Sequence, residues 1–165
     1  MGFPDESEYQ GGTTSGELIH GIFAFSNHEV YDGEWRDNKL EGRGTVSDDH
    51  RLRREENPRD EFRGTHYAGE WKQNRFDGEG SYTWASGSTY TGQWKEGKKH
   101  GKAKYTYANG NVEIGCYEAD KDVGQGAKWS ADRAQAWELQ DGQPGRSISQ
   151  EEAAQIAARI GLPVP

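Results

Sequence analysis

The pentapeptide Tyr67-Ala68-Gly69-Glu70-Trp71 returns as Tyr90-Thr91-Gly92-Gln93-Trp94, 23 residues later. The stretches that follow also align, Phe76-Asp77-Gly78-Glu79-Gly80 with Lys99-His100-Gly101-Lys102-Ala103. A fixed period of this size marks a repeat architecture, in which each unit buries its apolar face only against its neighbours. Gly115 and Tyr117 continue the spacing beyond Gly92 and Trp94. An earlier copy, Tyr31-Asp32-Gly33-Glu34-Trp35, stands 36 residues before Tyr67, so 13 residues are inserted. The polar run Asp48 to Arg63 holds that insertion and reads as a surface loop. A degenerate first copy occupies 16–30, with Gly21-Ile22-Phe23 in the Gly-x-Gly place and Phe23 replacing the second glycine. Val123 to Trp129 closes the copy that begins at Glu113, and Ala136-Trp137-Glu138-Leu139 reads as one last strand.

Within a copy the side-chain period is two. Tyr67, Gly69 and Trp71 share one face of an extended segment, and Gly78, Gly80, Tyr82 and Trp84 share one face of the next. A polar turn of about six residues between them makes each copy a β-hairpin, and successive copies a meander. The glycines let a neighbouring ring lie on the backbone and permit bulges that bend a single sheet.

Composition narrows the class. Leu, Ile, Val and Phe make up about an eighth of the 165 residues, and the net charge is −8. Those values alone suggest disorder. Six Trp, eight Tyr and five Phe say otherwise, since each buried ring removes about 150–250 Å² from water. The expected core is aromatic and thin. Cys116 is the single cysteine, so no internal disulfide forms, which favours a reducing compartment. The first residues lack a signal-peptide pattern and no run of apolar residues is long enough to span a bilayer. A cytoplasmic setting is expected, with possible cytoskeletal or membrane association. The acidic balance argues against nucleic acid as a partner.

The C-terminal segment has a different grammar. Ser149 and Glu152 form a capping box, with Ile148 and Ala153 placed as a hydrophobic staple. Ala153, Ile156, Ala157 and Ile160 follow at i, i+3, i+4 and i+7, and Gly161 with Pro163 ends the run. A helix over about 150–160 is predicted within a C-terminal segment 147–165. So short a helix is marginal alone, and its stripe is expected to cover the open end of the sheet. The sheet domain is placed at 16–140, after a flexible start at 1–15.

The unit Tyr-x-Gly-x-Trp, then Gly-x-Gly about seven residues on, resembles the MORN repeat, with the strongest copies at 31–46, 67–89 and 90–112. The resemblance implies an all-β, single-layer twisted meander of stacked antiparallel hairpins. It also implies an aromatic concave face used in scaffolding, partner binding or membrane association.

Candidate chemistry reduces to repeat positions. Gly92 to Lys99 approaches a phosphate-binding loop, but Lys99 stands where Ser or Thr must hold magnesium, and no strand–loop–helix context is predicted. His20, His28, His50, His66 and His100 make no metal-ligand spacing. Cys116 points away from the Tyr117 face, with no basic partner to activate it. No catalytic residue, cofactor or metal is expected, and the chain reads as non-enzymatic. The rings Tyr67, Trp71, Tyr82, Trp84, Tyr90, Trp94, Tyr105 and Tyr107 are expected to line one surface and hold a peptide or protein partner, those not packed over glycines being exposed. The alternative is an anionic membrane or phosphoinositide held by Lys95, Lys98, Lys99, Lys102 and Lys104, each basic residue near such a surface being worth about 1 kcal/mol.

Overall fold

The computed structural model describes residues 16–25, 29–48 and 65–165. The predicted mobile start and, beyond Asp48, the predicted insertion lie outside them. Among these described residues, eleven strands follow one another in a single open antiparallel sheet, each paired with its sequence neighbours. They are β1 (Ile19–Ala24), β2 (Glu29–Arg36), β3 (Lys39–Asp48), β4 (His66–Lys72), β5 (Arg75–Thr83) and β6 (Thr89–Lys95), then β7 (Lys98–Thr106), β8 (Val112–Glu118), β9 (Lys121–Trp129), β10 (Ala136–Gln140) and β11 (Gln143–Ile148). One helix, α1 (Gln150–Ile160), ends the chain. The expected meander of stacked hairpins with a C-terminal helix is what forms.

The hairpin turns are tighter than expected. The strands run through most of the six polar residues, and two residues turn the chain: Asp37-Asn38, Gln73-Asn74, Glu96-Gly97, Ala119-Asp120 and Asp141-Gly142 all have positive φ. Two consecutive left-handed residues define the type I′ turn, whose twist matches that of the strands it joins. Asn and Asp tolerate this conformation because their short side chains bond locally. Successive turns are also tied together. The Leu40 amide donates to Asn74 Oδ1 at 2.6 Å, and the Asn74 amide donates to the Leu40 carbonyl at 3.1 Å. The Lys99 amide donates to Asp120 Oδ1 at 2.9 Å in the same way.

Pairing puts equivalent residues in rows across the sheet. One row runs Gly21, Gly33, Gly44, Gly69, Gly80, Gly92, Ala103 and Gly115. Gly21 therefore holds the second-glycine place and Ile19 the first, and Phe23 belongs to the next row. The first copy thus sits two residues away from the alignment expected for it.

The two faces bury different things. On one, the ring face, Tyr31, Trp35, Tyr67, Trp71, Tyr90 and Trp94 form the core of the repeats, with Leu40 and Phe76. On the other, the helix face, α1 packs against β8, β9 and β10 and covers Ile114, Ala127, Trp129, Ala136 and Ile148 with Ala153, Ile156, Ala157 and Ile160. The predicted stripe is thus the buried stripe. It lies on a face of the last repeats, however, and leaves β11 as the edge strand. Cys116 packs toward this second cluster, on the opposite side from Tyr117.

β11 has no counterpart among the predicted strands. Only Ile148 of its six residues is buried, and Pro144 and Gly145 obscure it as a strand. Pro is tolerated there because no strand pairs with its outer edge.

Candidate functional site

The core tyrosines explain the repeat motif. Tyr31 and Tyr67 lie over the glycine row: a Cβ on Gly80 would come within 2.6 Å of Tyr67 Cε2, and one on Gly44 within 2.5 Å of Tyr31 Cε2. Each hydroxyl then donates to the carbonyl three residues on, Tyr31 to Glu34 and Tyr67 to Glu70 at 2.9 Å, and Tyr90 to Gln93 at 2.8 Å. Tyr31 and Tyr67 are each met edge-on by the Trp of their own copy and of the next, and Tyr90 by Trp94 and by Tyr117. Tyr67 lies 5.2 Å from Trp71 and 5.8 Å from Trp94, with interplanar angles of 86° and 87°. The Trp71 and Trp94 indoles donate to the carbonyls of Gly44 and Gly80. Edge-to-face pairs contribute about 0.5–1.5 kcal/mol each beyond area burial, so this chain of rings couples the copies.

Burial raises the hydroxyl pKa of Tyr31, Tyr67, Tyr90 and Tyr117 above the ordinary tyrosine value, and neighbouring carboxylates raise it further. Four of the eight rings expected at a binding surface are therefore core. Tyr67, Trp71, Tyr90 and Trp94 are at most 7% exposed, and they support the surface from beneath.

The other four, Tyr82, Trp84, Tyr105 and Tyr107, are half-buried and contiguous. Trp84 lies 4.8 Å from Tyr82 and 5.3 Å from Tyr105, and Tyr105 lies 4.6 Å from Tyr107. Tyr82 and Tyr105 come from β5 and β7, each beside the core tyrosines it pairs with, Tyr82 beside Tyr67 and Tyr90 and Tyr105 beside Tyr90. Trp84 and Tyr107 follow just past the ends of those strands.

Sequence reasoning missed the end of this strip. Glu113 occupies the tyrosine place of the copy that follows 90–112 and is 7% exposed. Its carboxylate accepts from Tyr107 Oη at 2.7 Å and pairs with Lys128 Nζ at 3.6 Å. The Lys128 ammonium lies 4.2 Å from the Tyr107 ring centroid, a cation–π contact. An acid standing where the repeat has tyrosine was the available signal.

The five lysines do not form one surface. Lys99 points to the ring face, its ammonium 4.8 Å from the Tyr117 centroid and 5.8 Å from that of Tyr90. Lys95, Lys98, Lys102 and Lys104 are exposed on the helix face, where Lys102 Nζ reaches the end of α1 beside Gly161. Among the described residues no group of His, Cys, Asp and Glu could hold a metal ion. No helix among them is long and apolar enough to cross a membrane.

The MORN repeat profile matches residues 31–47, 67–89 and 90–112. This chain is a MORN-repeat protein. The three matched segments are the copies whose Tyr, Gly and Trp build the ring face. MORN repeats are generally non-enzymatic modules for binding proteins or membranes. No curated protein matches the chain.

Proposed function

We propose that this MORN-repeat chain is a non-enzymatic scaffold or adaptor that holds a protein partner on the strip Tyr82, Trp84, Tyr105 and Tyr107. The observation that carries this reading is the contiguity of four half-buried Tyr and Trp rings on a rigid aromatic core. Tyr and Trp dominate binding hot spots because they offer a large rigid surface with a polar tip. The core tyrosines spend their hydroxyls on carbonyls and Tyr107 spends its own on Glu113. Among the described residues no such acceptor meets the hydroxyls of Tyr82 and Tyr105.

Affinity capture from the source cell, run in parallel with wild type, Trp84→Ala and Tyr105→Ala, tests this. A partner that is identified, then shown to bind the purified chain and lost in both variants, supports it. A partner retained by both folded variants counts against it. Trp94→Ala is unsuited to the purpose, since loss of a core ring costs about 3–5 kcal/mol. The four exposed lysines on the helix face support the membrane alternative. Sedimentation with anionic vesicles that falls with salt and with Lys98→Glu/Lys102→Glu would favour it over the ring strip.

A further inference from the structure

We infer that the ring strip is shaped for a proline-rich segment in the polyproline II conformation, lying across the strands. The inference rests on the ring face being the binding surface and names the chemistry of what it binds. Its basis is a match of periods. From β1 to β9, alternate strands place Phe23, Val46, Tyr82, Tyr105 and Lys128 in one cross-sheet row. Neighbouring strands are about 4.8 Å apart, so members of this row recur every 9.6 Å or so. A polyproline II helix advances about 3.1 Å per residue with three residues per turn, so one of its edges recurs about every 9.3 Å. Every third residue of such a ligand therefore meets the same place in successive hairpins.

Other ligand conformations lose step. A β-strand repeats a face about every 6.7 Å, and an α-helix returns a face after one turn of about 5.4 Å or two of about 10.8 Å. Over the four steps of the row the helical mismatch grows to about half a repeat, whereas the polyproline mismatch stays near 1 Å.

The local chemistry agrees. Trp84 and Tyr105 face each other at 5.3 Å with their planes 40° apart, forming an open wedge rather than a closed stack. A pyrrolidine ring is flat, apolar and already restricted in φ, so it lies on such rings at small entropic cost. A polyproline backbone makes no internal hydrogen bonds, so its carbonyls can accept from the Tyr82 and Tyr105 hydroxyls. The Lys128–Glu113 pair closes one end of the row with charge, and an acidic residue at that end of the ligand would meet Lys128.

The test titrates the full chain with three synthetic peptides, reading tryptophan fluorescence and calorimetry. One peptide has proline at every third position over about 13 residues, enough for four steps of the row. The second has the same composition and length, reordered so that no two prolines stand three residues apart. The third is an amphipathic helix of equal length. The expected result is binding of the first peptide, at least about tenfold tighter than the second, and weakened about tenfold by Trp84→Ala or Tyr105→Ala with the near-ultraviolet dichroism retained. The comparison of peptides on the wild-type chain needs no variant to fold. Equal affinity for the first two peptides overturns the inference, as does binding indifferent to both substitutions, or no binding of the first peptide. Preference for the helical peptide, lost in Trp84→Ala, overturns the polyproline inference alone and leaves the ring strip as the binding surface.

Discussion

Gly80 and Tyr67 show how the repeat motif works at the level of single residues. The glycine is required because the ring occupies the place of its side chain. Gly80→Ala must displace Tyr67, its bond to the Glu70 carbonyl and its edge contacts with two tryptophans. We expect a loss of about 1–3 kcal/mol, the usual cost of overpacking, measured as a fall in the urea midpoint. Unchanged stability would show that the ring has room to move. Ala103, the alanine of the same row, marks where the pattern is already relaxed, and there Tyr90 Oη also approaches the His100 carbonyl at 3.4 Å. The core tyrosines also set a pH dependence. Burial, then nearby carboxylates, raise the folded-state pKa of Tyr31 and Tyr67 above 10.0. A raised pKa means the folded state holds its protons more tightly, so this stability is complete below about pH 10 and is lost as pH rises toward the folded-state value. Stability should therefore decline from about pH 10 upward, with tyrosinate absorbance from the core rings rising only as the chain unfolds. Core tyrosinate forming near pH 10 with the fold intact would contradict the assigned burial. The ring–glycine pairing was legible in sequence because both partners recur at one spacing. Which rings stay half-buried was not: Tyr67 and Tyr82 have the same side chain and are neighbours on the ring face, yet one is fully buried and the other is not.

The elements differ in how much of their geometry the sequence discloses. Helix α1 spans Gln150–Ile160 as the capping box and apolar stripe require. Ser149 Oγ accepts from the Glu152 amide at 3.1 Å, and Glu152 accepts from the Ser149 amide at 2.8 Å. That bond, with Arg146 beside it, lowers the Glu152 carboxyl to about 2. Ser149→Ala should cost about 0.5–2 kcal/mol, read as a lower melting temperature of the helical dichroism; an unshifted melt would mean that docking alone holds the helix. The hairpins were legible as units but their turns were not. Gln73-Asn74 and Asp37-Asn38 lack the glycine that usually announces a type I′ turn, and the glycines that do stand out, Gly42 and Gly78, sit in bulges with φ of 63° and 90°. In those bulges the first strand of the hairpin supplies the lid, as where Glu34 Oε2 accepts from the Arg43 amide at 2.5 Å. Asn74→Ala removes both a residue suited to φ of 65° and the acceptor for the Leu40 amide. A loss of about 1–3 kcal/mol follows from the buried donor left unpaired. Asn74→Gly, which keeps the conformation and loses the acceptor, should fall between that variant and wild type in the same denaturation series.

At the scale of the whole molecule, two cores on opposite faces of one sheet divide the stability. The ring core spans the copies from β2 to β8, while the helix core belongs to β8 through β11 and α1. A repeat array is stabilised by each unit and by its interface with the next, so a lesion at one end need not propagate. β8 joins the two cores, offering Tyr117 to one face and Ile114 to the other. Ile156→Asp puts a charge without a partner into the helix core, a change expected to undock α1 because burying an unpaired carboxylate is far costlier than losing the contact. The helical dichroism should then melt early, and Trp129, now 1% exposed with its indole donating to Gln150 at 3.1 Å, should shift its fluorescence to the red. The newly open patch around Ile114, Trp129 and Ile148 should bind a hydrophobic dye. The dichroic signature of the Tyr31–Trp35 and Tyr67–Trp71 pairs should persist to the wild-type melting temperature, because none of those rings touches the helix core. Should every signal instead be lost in one early transition, the two cores form a single cooperative unit, and β8 transmits the loss of one face to the other.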